Sequence, residues 1–329
     1  MRIIHIVSVL ICMLIIGCSA QNDAKQSTTV QADDSVKQMS FNADSAYQNV
    51  KNQVDFGPRI PGSEGHKKCA DYLIKELSRY GADTVIEQRS VVTAFNGDKL
   101  PINNIMGQFN KNVSKRILLL AHWDTRPWAD AEADRAKHST PILGANDGGS
   151  GVGVLLEIAR CLGLKKSTIG VDILFVDAED YGASGEDSKY EDSWCLGTQY
   201  WVKNMPYNSN NVPMYGILLD MVGGRDARFH RDQVSMVYAQ YIANRVWSVA
   251  INSGYGSSFV NAIGGSVIDD HYYINQAGIP CVDIIENLNP QTQSFNPTWH
   301  TLDDNMSNID RNSLKAVGQT VLNLIYIEK

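Results

Sequence analysis

Three apolar runs limit what this chain can fold into. They are "RILLLAH" (116–122), "VDILFV" (171–176) and "YGILL" (215–219), with a fourth, "IPCVDIIE", at 279–286. None alternates apolar with polar residues along its length, so each reads as a strand buried on both faces. Between and around them lie helical patterns. "HKKCADYLIKELSRYG" (66–81) puts Cys69, Leu73, Leu77 and Tyr80 on one face, and "GGSGVGVLLEIARCLG" (148–163) does the same with Val152, Leu155, Leu156 and Ala159. Residues 239–255 and 310–327 are two more amphipathic helices, the second with Asp310 as N-cap. Strands alternating with helices predict a three-layer α/β/α fold around a central, mostly parallel sheet.

Such sheets carry their sites at the carboxyl ends of the strands. Here the first run ends in His122 and Asp124, the second in Asp177, Glu179 and Asp180, and the third in Asp220. Three carboxylates within four positions repel one another unless a cation or a shared proton relieves them. Loops add Asp147 in "GANDGGSGVG", Asp269-Asp270-His271 in "VIDDHYY", and His300 with Asp303 and Asp304 in "PTWHTLDDN". Carboxylates and imidazoles in this number suit a zinc site with an open position. Asp124 is spaced to orient His122 through its second ring nitrogen. His138 and His230 read as solvent-facing, and Trp201 and Trp247 as core.

The chain has 329 residues, 43% of them hydrophobic, and a net charge of −7 without any basic block, which argues against nucleic acid as a partner. Residues 1–17 read as a secretory signal. The ending Ile15-Ile16-Gly17-Cys18 resembles a bacterial lipobox, which implies cleavage before Cys18 and a lipid on its thiol. Residues 18–41 are expected to form a flexible tether and residues 42–329 a single catalytic domain. The expected location is therefore the bacterial cell envelope, lipid-anchored on the periplasmic side or in the outer membrane, and a monomer is expected. Cys69, Cys161, Cys195 and Cys281 show no CxxC spacing and read as buried free thiols.

From Gly57 onward the chain resembles the zinc aminopeptidase clan. The carrying stretches are "GPRIPGSEGHKKCADYL" (57–73), "DDH" (269–271) followed by "GIPCVDIIE", and "FNPTWHTLDDN" (295–305). Within that clan it is most similar to the glutaminyl cyclases of the animal type and their bacterial relatives, the latter through "SWCLGTQYW" (193–201). The resemblance implies a phosphorylase/hydrolase-like fold and one zinc per chain, held by Asp147, Asp180 and His300. It implies Glu179 as general acid and base, with Asp220 and Asp269 in a hydrogen-bonded carboxylate network beside it. Trp194, Phe295 and Trp299 would line a pocket for the glutaminyl side chain. Animal members carry Glu where this chain has Asp180, one methylene shorter. The implied substrates are peptides and proteins with N-terminal glutamine, converted to pyroglutamate with release of ammonia. Two rivals stand beside this: a two-zinc aminopeptidase using His122 and Asp220 for a second metal, and a non-catalytic binding protein.

Overall fold

Residues 39–185 and 191–329 are described by a computed structural model. The signal segment, Cys18 and the tether up to Gln38 lie outside the described residues. In chain order the elements are α1 (Ala43–Val54), α2 (Glu64–Arg79), β1 (Thr84–Thr93), β2 (Lys99–Phe109), β3 (Arg116–His122), α3 (Ser150–Leu164), β4 (Gly170–Val176) and α4 (Leu196–Lys203). They continue with β5 (Gly216–Leu219), β6 (Phe229–Arg231), α5 (Gln233–Tyr238), α6 (Gln240–Asn252), β7 (Phe259–Ile263), α7 (Asp270–Gln276), β8 (Cys281–Ile284) and α8 (Arg311–Ile327).

The non-alternating runs form the centre of a six-stranded sheet, in the order β1-β2-β4-β3-β5-β8. The β4–β3, β3–β5 and β5–β8 pairs are parallel, whereas β1–β2 and β2–β4 are antiparallel. Along β3, Ile117, Leu119 and Ala121 enter a core shared with α1, α2, α3, α6 and α8. Leu118 and Leu120 enter the opposite core, with Trp201 of α4 and Ile274 of α7. Helices thus cover both faces, which is why neither parity of the strand could be polar. Truncating such a side chain, as in Leu119→Ala, typically costs ~2–5 kcal/mol.

α3 is not amphipathic in its setting. Besides Val152, Leu155, Leu156 and Ala159, nearly every other position is buried. Gly151 and Gly153 explain how: a Cβ there would lie 2.0 Å from the Leu219 carbonyl oxygen and 2.5 Å from Val50. The helix is wedged between the sheet and α1, and its N-terminus points into the site.

The strand order sets the crevice. From β3 the chain passes through α3 to β4 on one side, then crosses back through α4 to β5 on the other. At such a reversal the connections leave in opposite directions and the carboxyl ends of β3, β4 and β5 open a cleft. Among the described residues, the four cysteines Cys69, Cys161, Cys195 and Cys281 are buried free thiols, and no helix is long and apolar enough to cross a membrane.

Candidate active site

The three acids after β4 do not act together. Asp177 turns away from the cleft and accepts from His66 Nε2 at 2.8 Å, the Asn103 amide at 2.6 Å and the Ala178 amide at 2.8 Å. His66 in turn stacks on the buried Trp123 ring, with centroids 4.3 Å apart. Ala178 then takes a left-handed backbone (φ 49°), which sends Glu179 and Asp180 the other way. Asp124 fixes that turn: its two oxygens accept the amides of Glu179 at 3.0 Å and Asp180 at 3.1 Å. It also faces His122, 3.5 Å from Nδ1 at ion-pair distance. Asp124 therefore fixes the backbone of the acid pair and meets the second ring nitrogen of His122.

Asp147 arrives on the loop before α3. Arg59, fully buried, holds that loop by donating to the carbonyls of Trp123, Leu143 and Gly144 at 2.8, 2.8 and 2.7 Å. Asp304 accepts the amides of Asn146 at 2.7 Å and Asp147 at 3.1 Å. Gly148 is required by the turn: its φ is +79°, and a Cβ would sit 2.2 Å from the Asp124 carbonyl oxygen.

His300, 2% exposed and also left-handed (φ 54°), completes the group. Its Nε2 is 3.2 Å from Asp180 Oδ1 and 3.7 Å from Asp147 Oδ2. Its Nδ1 meets Asp130 at 3.0 Å, and Arg126 clamps Asp130 at 2.8 and 2.7 Å while donating to the Asp180 carbonyl at 3.0 Å. Burial opposes ionisation of Asp130, but His300 and Arg126 outweigh it and hold its carboxyl below the usual range. Burial likewise opposes a charged His300, and Asp180 and Asp130 override it, raising its pKa.

Asp147, Asp180 and His300 offer donor atoms that all lie within 4.8 Å of one another. Two oxygens and one imidazole nitrogen, with that histidine's second nitrogen on a carboxylate, suit zinc. The buried Asp180 Oδ2 has no hydrogen-bond partner, as expected of an atom meant for a cation. A second group, His122, Asp147 and Asp220, shares Asp147. His122 Nε2 is 3.0 Å from Asp147 Oδ1 and 3.1 Å from Asp220 Oδ1.

Glu179 sits beside this pair of groups. An oxygen of Glu179, an oxygen of Asp269 and the Cys195 sulfur lie within 4.8 Å of one another, and the thiol is 3.4 Å from Glu179 Oε1. Burial, then the neighbouring Asp269 and Asp180, push the Glu179 carboxyl well above its ordinary value, against the pull of His122. Burial and Asp220 push Asp269 up to about 7. Asp220, turned toward His122, is also raised by burial.

The cleft above these groups has a volume of about 510 Å³. Trp194 lies parallel to the His300 ring, centroids 6.1 Å apart, under the Arg126 guanidinium at 4.7 Å. A Cβ on Gly182 would fall 1.9 Å from the Trp194 ring, so only glycine leaves room for it. Phe295 and Trp299 pack together at 5.0 Å and join Met221, Val267 and Ile285 in one apolar cluster that faces the cleft. All nine residues picked from the sequence as site residues within the described chain line this one cleft. Asp130, Arg126, Asp304, Cys195, Met221, Val267 and Ile285 were not picked as site residues. Met221 and Ile285 had a signal: each lies within two residues of the carboxyl end of a sheet strand, where ligand contacts concentrate.

Fold and site together define an enzyme whose apolar cleft holds candidate metal ligands beside a largely buried carboxylate. Residues 104–325 match Peptidase family M28, and the chain belongs to that family. It is similar to the solved structure of Bacteroides thetaiotaomicron glutaminyl cyclase bound to N-acetylhistamine, with 50% identity over 88% of this chain and 99% of that one, at a TM-score of 0.84. It is similar as well to a Zn-dependent exopeptidase from Parabacteroides distasonis, 53% identical over 88% and 99%, at a TM-score of 0.85. The glutaminyl-peptide cyclotransferase of Drosophila melanogaster is 25% identical over 77% of this chain and 72% of that protein.

Proposed function

We propose that this chain is a zinc-dependent glutaminyl-peptide cyclotransferase, converting N-terminal glutamine of peptides and proteins to pyroglutamate. The observation that carries the reading is the half-identity to a solved glutaminyl cyclase along 99% of its length. The cleft supports it by joining a largely buried carboxylate to an aromatic pocket.

In this reading Asp147, Asp180 and His300 hold one zinc, with Asp130 fixing the imidazole. When bound, the metal supplies Lewis-acid polarisation of a carbonyl oxygen. Trp194, Phe295 and Trp299 hold the glutaminyl side chain folded toward its own α-amine and exclude water. Glu179 takes a proton from the amine as the amine attacks the γ-amide carbon, then returns one to the departing nitrogen. One C–N bond forms, one breaks, and ammonia leaves. A carboxyl raised by burial and by Asp269 is basic enough to accept and acidic enough to return that proton, and Asp220 acts on it through Asp269, whose carboxyl it raises. The test is the product. An N-terminal Gln peptide should lose ammonia with its peptide bonds intact, whereas release of free glutamine would defeat the reading.

A second reading, a two-metal aminopeptidase, is favoured by the His122–Asp147–Asp220 group, which shares Asp147 with the first. The likeness to glutaminyl cyclases weighs against it.

The proposal extends to export. Residues 1–17 are removed, Cys18 carries lipid, residues beyond it tether the domain, and the monomer works in the cell envelope. The apolar run ending at Gly17-Cys18 supports this.

A further inference from the structure

The cleft opens at the carboxyl ends of β3, β4 and β5, whereas their amino ends, with the last turns of α3 and α8, form the opposite end of the domain. These termini are held together. The Tyr326 hydroxyl donates to the Lys165 carbonyl at 2.5 Å, Thr168 Oγ1 to the Glu328 carbonyl at 2.6 Å, and the Met214 amide to the Arg116 carbonyl at 2.8 Å. The surface they make is both basic and apolar. Leu164 is 67% and Ile327 51% exposed, and Lys111, Lys166 and Lys329 are exposed on the same end. Lys165 lies over the Tyr326 ring at 5.1 Å, and Lys115 donates to the Lys329 carbonyl. The nearby carboxylates do not balance this charge. Asp172 is buried against Arg116 and Glu328 against Arg245, which leaves Asp83, exposed and accepting the Lys111 amide at 2.9 Å.

We infer that this end of the domain is a docking face for anionic phospholipid headgroups, and that docking there turns the cleft outward, away from the membrane. The inference goes beyond the cyclase reading and takes the proposed anchoring at Cys18 as what brings the face to a membrane. Charge is the first argument. A chain of net charge −7 is repelled as a whole by an anionic surface, so the end that gathers lysines is the end that can approach it. Leu164 and Ile327 between those lysines can enter the headgroup layer, where apolar burial and lysine attraction add. The second argument is where the chain enters the domain. The Met39 carbonyl accepts Gln319 Nε2 at 3.0 Å, and α8 ends at Ile327, about 12 Å further along the helix. The 20 residues from 19 to 38 can span at most ~70 Å, which keeps the face close to the lipid and lets a weak contact suffice.

The test uses the mature chain from residue 18 carrying Cys18→Ser, which cannot be lipidated. It is sedimented with phosphatidylcholine vesicles, with and without phosphatidylglycerol, at low and at high salt. It should bind the phosphatidylglycerol vesicles at low salt, leave them at high salt as surface charge is screened, and ignore phosphatidylcholine alone. Lys111→Gln/Lys166→Gln should lower the partition coefficient roughly 25-fold, about fivefold for each lysine. Lys67→Gln/Lys68→Gln, the same charge change near the cleft end of α2, should leave it unchanged. Vesicle-bound protein should turn over a Gln peptide as fast as free protein. No binding at low salt, or binding that both lysine pairs affect alike, would overturn the inference. So would loss of turnover on binding, which would put the cleft against the lipid. An unlipidated mature terminus would instead overturn the anchoring, and free protein without turnover the cyclase reading; neither changes what the vesicles report.

Discussion

The role proposed for Glu179 depends on its neighbours parting company with it. Asp177 turns to His66, Asp180 turns to His300, and Glu179 is left facing Asp269 and Cys195. Replacing it by the near-isosteric Gln should leave zinc content unchanged and lower turnover by ~10²–10⁴-fold, the usual share of a general base; metal analysis and steady-state kinetics check it. A second residue-scale expectation concerns Asp270. Burial, then Asp269, push its carboxyl up to about 8. An unfolded aspartate ionises near ~3.9, so between those values the folded chain keeps a proton the unfolded chain has lost. Stability should therefore be greatest on the acid side and fall as pH rises from about 4 to about 8, by at most ~1.4 kcal/mol per pH unit for one group. Asn has no proton to lose, so Asp270→Asn should flatten the fall in Tm between pH 5 and pH 8 and raise Tm at pH 8. At this scale residue identity was legible and orientation was not. Sequence spacing placed Asp124, Asp177, Glu179 and Asp180 at strand ends, but a single left-handed residue, Ala178, decides which way each points.

At the scale of elements, the central strands were legible because burial on both faces leaves an unbroken apolar run, and α2 and α8 because burial of one face writes a helical period into the sequence. Asp310 caps α8 as expected, accepting the Asn312 amide at 2.9 Å. β1 and β2 were not legible, because β1 lies at the sheet edge and alternates half-buried with exposed positions, giving no continuous apolar run. The supports of the site were hidden for another reason: Arg59 acts on residues 64 to 85 positions away and Asp130 on one 170 positions away, distances no local pattern records. Asp130→Ala should free the His300 ring and weaken zinc affinity about 10–100-fold, as loss of a ligand's carboxylate partner does elsewhere; competition with a chelating dye measures it. Gly182→Ala should displace Trp194 and raise KM for Gln peptides while the metal stays bound.

For the whole molecule, a metal that binds only the folded state adds stability by mass action, ~2.7 kcal/mol at a hundredfold excess over Kd. Chelation should accordingly lower Tm. The proposed envelope anchoring predicts a mature chain beginning at Cys18 with lipid mass on its thiol, and mass spectrometry finding an unmodified terminus would refute it. The central claim is the pairing of one zinc with cyclisation, and a zinc titration of metal-free enzyme tests it most directly. Ammonia release from a Gln peptide and hydrolysis of a Leu peptide are followed together at each addition. Cyclisation should saturate at one equivalent with the Leu peptide untouched, and Asp220→Asn should lose rate while still taking up that one zinc. Activity that climbs to two equivalents and cleaves the Leu peptide, with the second zinc lost in Asp220→Asn, would contradict the account and make the chain an aminopeptidase.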